Sequence, residues 1–232
     1  PLTAVKSLSQ PYASAGGRVA EDETAFYRRV SERLRHKGRA GSVWDYEHLV
    51  LEAFPELHQV KCLPHTSADC PCPTPGAVTL VLIPRTDPTN PLQPRASQAL
   101  RQRVADFVNA RNPLFAQAEA VNATFEAVEV RAKVRLRPGL PFGFFRDRLS
   151  DELKQFLTPW AYGVVGELPF GGSMRRSSLL RFLETRDYVD VVSELRVFLE
   201  NQEITDTDLL TASGPRAILV SASQHLFESL GV

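Results

Sequence analysis

From Glu126 to Arg137 the chain alternates without a break. Val128, Val130, Ala132, Val134 and Leu136 take one parity, and Glu129, Arg131, Lys133, Arg135 and Arg137 take the other. A two-residue period belongs to a strand, whose successive side chains point to opposite faces. One face is apolar and the other charged, mostly basic, so this segment is predicted as an antiparallel strand with one wet side. A chain built around such a strand needs a second layer to cover the apolar face, which makes helices packed on a sheet the natural architecture.

The other elements agree. Residues 1–20 are rich in Ser, Ala and Gly and read as a linker or docking arm. A helix is expected from Glu21 to Lys37, with acids at its start, Arg35, His36 and Lys37 at its end, and Phe26, Val30 and Leu34 as its buried stripe. Gly38 is the expected cap. A second helix starts at Ser42, with Asp45 completing a capping box. Tyr46, Leu49, Val50, Ala53 and Phe54 form its inner face, and Pro55 ends it. Strands are expected at His58–Leu63 and Ala77–Ile83, the second apolar enough to be covered on both faces. A third helix spans Arg95–Ala110. A fourth carries Phe145, Leu149, Leu153 and Phe156 inward, and a fifth carries Leu179, Leu180 and Leu183. A strand from Val189 to Leu199 and a short one from Ala217 to Val220 follow. The fold class is therefore α+β: two small helix-on-sheet modules with mainly antiparallel strands, preceded by a helical pair. The divisions expected are 1–20, 21–137, 138–200 and a C-terminal tail, 201–232, with a partner-pairing strand.

Charge excludes little in total but is unevenly placed. Lys plus Arg and Asp plus Glu are 27 each in 232 residues. Residues 28–39 hold six basic residues (Arg28, Arg29, Arg33, Arg35, Lys37 and Arg39) against Glu32, whereas residues 187–208 hold seven acids against Arg196. Such asymmetry suits contacts with differently charged neighbours, and equally suits two solvated faces. The sequence shows no apolar run of membrane-spanning length and no signal peptide. It begins at Pro1 with Met174 as its one Met, which suggests part of a longer protein. Three Cys are too few for a disulfide scaffold, so reduced thiols are expected.

The best candidate for chemistry is Cys62, His65, Cys70 and Cys72. Four soft ligands within eleven residues suit tetrahedral zinc, although the C-x-C spacing is tighter than a usual knuckle. The competing reading is a reduced surface loop, with Cys62 packed as a small apolar strand residue, and it is favoured. No Walker A, G-x-S-x-G or H-E-x-x-H sequence is present. The glycines of GGSMRRSS, with Arg175 and Arg176, hint at an anion site at a helix start, but a turn capped by Ser173 explains them. A basic helix and a basic strand face can touch phosphates, yet no aromatic residues interleave on that face, so a nucleic-acid partner is not expected.

Three blocks carry a family likeness. They are FYRRVSERLRHKGRAGSVWDYEHLVLEAFP with VKCLPHT; PGAVTLVLIP with the helix and long strand after it; and LTPWAYG, LPFGGSMRRSSLLRFLE and YVDVV, with PRAILVSASQH near the end. In these the chain resembles the baseplate J-like family, the wedge proteins of contractile phage tails and extracellular contractile injection systems. The resemblance implies a non-enzymatic wedge component with no cofactor, assembled in the bacterial cytoplasm and then part of a phage-tail-like particle. It also implies partners: other wedge subunits, a copy or paralogue of itself, and the sheath-initiating protein. The basic residues 28–39 and the strand Ala217, Ile218, Leu219 and Val220 are the expected contact points, the strand by adding to a partner's sheet edge. The Cys70 and Cys72 loop has no counterpart in the family pattern.

Overall fold

The computed structural model describes residues 20–67, 72–85, 91–162, 170–205 and 208–230. The chain divides into two units, residues 1–37 and 38–232. All but the last residue of the expected arm, 1–20, lie outside the described residues.

In the first unit, α1 spans Glu23–His36. The Asp22 carboxylate accepts the Ala25 N–H at 2.6 Å and so caps the helix start. The end is capped one residue earlier than expected, because Lys37 itself takes the left-handed conformation, with Gly38 following at φ 72°. The apolar stripe exists as a pattern but is not buried. Phe26 is 45% exposed and Leu34 70% exposed, since a lone helix has no second layer in its own described unit.

The second unit opens with α2 (Val43–Ala53), β1 (Leu57–Pro64), β2 (Ala77–Pro84), α3 (Gln98–Asn109) and β3 (Gln117–Asn122). The Ser42 hydroxyl accepts the Asp45 N–H and the Asp45 carboxylate accepts the Ser42 N–H, so the expected capping box is present. β1 and β2 pair antiparallel, and β3 joins β2 in parallel after the α3 crossover. Tyr46, Leu49, Val50, Val104 and Val108 from the helices pack on Leu57, Val60, Leu80 and Leu82. The opposite face of β2 buries Val81 and Ile83. That double cover is why β2 reads as a continuous apolar run. Side chains plug both sheet edges. The Glu47 carboxylate accepts the Cys62 N–H on β1, and the Asn109 amide bonds both backbone groups of Ala118 on β3.

The rest of the unit comprises β4 (Thr124–Leu136), α4 (Phe142–Leu157), β5 (Ser173–Arg175), α5 (Arg176–Glu184), β6 (Val189–Leu199), β7 (Gln202–Glu203), β8 (Leu209–Thr211), β9 (Ala217–Ser221) and β10 (Leu226–Ser229). β4 is the centre of a mixed sheet. It pairs antiparallel with β6 on one side, and in parallel with β9 and then β10 on the other. Its apolar face packs under Leu149, Leu153 and Leu157 of α4 and Leu179 and Leu183 of α5. Leu157 takes the inner place expected for Phe156, which is half-exposed and stacks on Phe182 with centroids 4.5 Å apart.

β3 belongs to the first sheet, and β4, which follows Ala123, belongs wholly to the second. β9 and β10 join the β4 sheet. Among the described residues, four of the seven strand pairings are antiparallel, in keeping with the α+β class.

Two glycines offer a test of turn strain. Gly76 has φ 82°, and a Cβ there would lie 2.8 Å from the Phe115 carbonyl oxygen. Gly139 has φ 85° with nothing within 4 Å. Gly139→Ala is expected to lose about 1 kcal/mol from conformation alone, and Gly76→Ala about 2–4 kcal/mol because the backbone must also move. Urea denaturation of both variants measures the difference, and equal losses would contradict the close approach at Gly76.

Candidate functional site

Cys62 lies on β1 with its side chain in the core of the first sheet. Burial pushes its thiol up to about 12, and the Glu47 charge adds to the effect. A thiol held neutral is a poor metal ligand, because the thiolate is what binds. Cys72 is disulfide-bonded, in contrast to the reduced thiols expected. His65 sits exposed in the turn after β1 at φ 56°. Cys70 lies outside the described residues. Among the described residues no group of three or more His, Cys, Asp or Glu side chains is placed to hold a metal ion. Of the described members, Cys62 lies in a core strand, and His65 and Cys72 lie exposed outside it.

Two groupings that local spacing scarcely signals look catalytic at first sight. In one, Ser221 Oγ lies 2.9 Å from His225 Nε2. The Val130 N–H donates to His225 Nδ1 at 3.2 Å, so the ring proton is on Nε2 and donates to the serine. The serine hydroxyl in turn donates to the Ala222 carbonyl at 2.8 Å. The proton order runs opposite to that of a nucleophile and its base. Burial, assisted by the Lys154 charge and opposed by Glu129, drives His225 down to about 4. The trio fastens the segment after β9 to β4.

In the other grouping, the Glu152 carboxylate accepts bonds from Arg148 Nε at 2.8 Å, Tyr188 OH at 3.0 Å and an Arg186 guanidinium N–H at 3.3 Å. Burial alone would raise Glu152, but these donors outweigh it and hold the carboxyl below the usual range. Burial and the Glu152 charge push Tyr188 well up. A base already accepting three donors, beside a phenol held protonated, is a structural clamp between α4 and the start of β6.

The basic strand face and the acidic stretch answer each other inside the chain. Arg135 pairs with Asp190 at 2.7 Å, Lys133 with Glu194 at 2.8 Å and Arg131 with Glu129 at 2.6 Å. Glu200 accepts the Ala127 N–H at 2.6 Å. Phosphates would have to displace these partners, which disfavours the nucleic-acid reading. The helical cations differ. Among the described residues Arg28, Arg33 and Lys37 are exposed and outside any ion pair, Arg35 is exposed, and Arg29 is held by Glu21 at 2.9 Å. Arg39, exposed, begins the second unit.

The expected contact strand is placed elsewhere. Ala217, Ile218, Leu219 and Val220 pair with Thr124–Ala127 of β4 and are buried on both faces. Leu219 faces α4 and α5, and Ile218 and Val220 face the first sheet. Their short apolar run reflects side-chain burial within the chain, and among the described residues β9 pairs with β4 alone. The glycine-rich segment also differs. Ser173 lies in β5, paired with β8, and α5 starts at Arg176 without a side-chain cap.

Among the described residues the chain holds three sheets, two internal clamps and an exposed basic helix. It matches a chain in a cryo-EM structure of the anti-feeding prophage (AFP) baseplate, 6-fold symmetrised, with a TM-score of 0.71 at 23% identity. The match covers 95% of this chain and 46% of that one, so the present chain spans about half the length of its structural counterpart. The family description "Baseplate protein PVC11-like" fits residues 1–220, and the chain belongs to that family. The resemblance read from the sequence thus holds at the level of a baseplate protein, with the PVC11-like family as the one that matches. No curated protein sequence matches. Among the described residues, no helix is long and apolar enough to cross a membrane.

His225 yields a pH test. Its folded value, about 4, lies below the ordinary 6.5, so the unfolded state binds the extra proton between them. Stability is full above about 6.5 and falls as pH drops toward about 4, by up to about 3 kcal/mol. His225→Gln is expected to flatten urea-measured stability across that window. An unchanged slope would remove His225 from the account.

Proposed function

We propose that this chain is a structural wedge component of a contractile injection baseplate, assembling through protein contacts into a ring around the hub. The observation that carries the reading is the family match over residues 1–220, supported by the fold shared with the AFP baseplate chain. The chemistry of the surface agrees with it. The two groupings that resemble catalytic centres are satisfied internally, and what remains outward is adhesive rather than reactive. The partners are other wedge subunits, a copy or paralogue of this chain, and the protein that starts the sheath.

α1 is the contact element in this reading. Phe26, Tyr27 and Leu34 stay exposed alongside the cations Arg28, Arg33, Arg35 and Lys37, a combination suited to a groove with apolar walls and acidic margins. The acids of 187–208 are not that margin, since Asp190 and Glu194 already pair with β4. β9 buries its side chains and pairs with β4 along one edge, so α1 is preferred to it as the contact element.

Reversing Arg28 and Arg33 to Glu together is expected to weaken co-purification with the neighbouring baseplate subunits by on the order of tenfold, and to reduce the salt dependence of that binding. Circular dichroism and melting temperature of the chain should not change. Normal assembly by the double variant would remove α1 from the interface.

A further inference from the structure

One edge of β4 is shared by two short strands, and a side chain closes the junction between them. β9 ends with Ser221 opposite Val128, and β10 begins with Leu226 opposite Arg131. The chain between them, 222–225, is longer than the stretch of β4 it faces, 129–130, so the ladder is interrupted. The Ala222 N–H donates to the Val128 carbonyl at 2.9 Å before the gap, and the Leu230 N–H donates to the Val134 carbonyl at 3.1 Å beyond β10. Val130 falls in the gap. It is fully buried, so its N–H needs an acceptor from the protein. His225 Nδ1 supplies one at 3.2 Å, in the place of a strand carbonyl.

The bond suits only the neutral ring. Nε2 carries the ring proton and donates to Ser221 Oγ at 2.9 Å, while the serine hydroxyl is committed to the Ala222 carbonyl. A second ring proton would have to sit on Nδ1, facing the Val130 N–H. Two donors would then oppose each other, and a buried N–H would lose its partner. The rest of the segment is lightly anchored. Phe227 is the one buried side chain of β10, whereas Leu226, Glu228 and Ser229 are exposed. Few buried contacts mark a segment that opens ahead of the rest.

Solvent reaches the ring through a cavity of about 380 Å³ between α4 and residues 224–227, with His225 in its wall. The charges around it come in pairs. On α4, Lys154 pairs with Asp151 at 3.2 Å and Arg146 with Asp147 at 2.8 Å. On β4, Glu129 is taken by Arg131 at 2.6 Å. Glu228 of β10 lines a separate cavity with Arg131 and Lys133. Burial opposes a charge on the ring most, Lys154 adds to that, and Glu129 works against it.

We propose that His225 is an acid-released latch: protonation of its ring frees the strap 222–229 from β4 while the β4–β6 pairing stays intact, and so uncovers the β4 edge at residues 130–134. This goes beyond the baseplate reading and does not depend on it.

Residue-resolved amide exchange of the whole chain tests the latch, with each rate compared with that of an unstructured chain at the same pH. Between about pH 7 and about pH 4, protection of the Val130, Ala222 and Leu230 amides should fall about tenfold or more. The Arg137 and Glu200 amides, bonded to the Tyr188 and Ala127 carbonyls, should change far less. His225→Gln offers the Val130 N–H an oxygen that does not titrate, so protection should hold at both pH values. His225→Ala offers none, and protection at Val130 should already be low at about pH 7. A wild-type strap that stays protected at about pH 4 overturns the proposal. So does an equal fall at all of these amides, which is general unfolding. An acid-dependent fall of the wild-type size in both variants also overturns it, and assigns the effect to Asp147, Asp151 or Glu129.

Discussion

The hydrogen-bonded placement of β4 is the constraint on which the second sheet depends. It is flanked on one edge by β6 and on the other by β9 and β10 in succession. One face collects the leucines of α4 and α5, and the other lays Arg131, Lys133 and Arg135 against acids from β4 and β6. Because β3 runs into β4 through Ala123, the same length of chain also ties the first sheet to the second. Remove β4 and both α4 and the C-terminal strands lose the surface they fold onto.

What the sequence conveyed well was local and periodic. The alternation of β4, the Ser42–Asp45 capping box and the continuous apolar run of β2 each follow from contacts within a few residues or from burial on a defined number of faces. What it hid depended on partners far along the chain. β3 shows no clean alternation, because it is a plugged edge strand whose Ala118 is held by the Asn109 side chain. The passage from the first sheet at β3 to the second at β4 has no local signal, because strand periodicity does not say which neighbour a strand joins. Ala217–Val220 shows the same limit. A short apolar strand with covered faces reads alike whether the cover comes from its own chain or another. The α1 stripe failed in the other direction, since a helical period reports amphipathicity and not what lies over it.

The candidate site was legible only in part. Cys62 as a packed strand residue was readable, because a small apolar side chain at an inward strand position needs no metal. The Glu152 clamp joins residues 36 positions apart and has no local signature. The basic and acidic segments stood out as separate features, yet much of their meaning is mutual. Antiparallel pairing of β4 with β6 sets Arg135 beside Asp190 and Lys133 beside Glu194, so these charges face inward on each other rather than outward to partners. The cations of α1 have no such counterpart strand, and that difference directs attention to the helix as the adhesive element.

The proposed contact helix α1 belongs to the first unit and the β4 sheet to the second. Hydrogen–deuterium exchange of the chain alone, and again in complex with neighbouring baseplate subunits, separates the two. New protection is expected across α1, with β4 equally protected in both states because its bonds are already made within the chain. Unchanged exchange in α1, or protection gained mainly in β9, would contradict it.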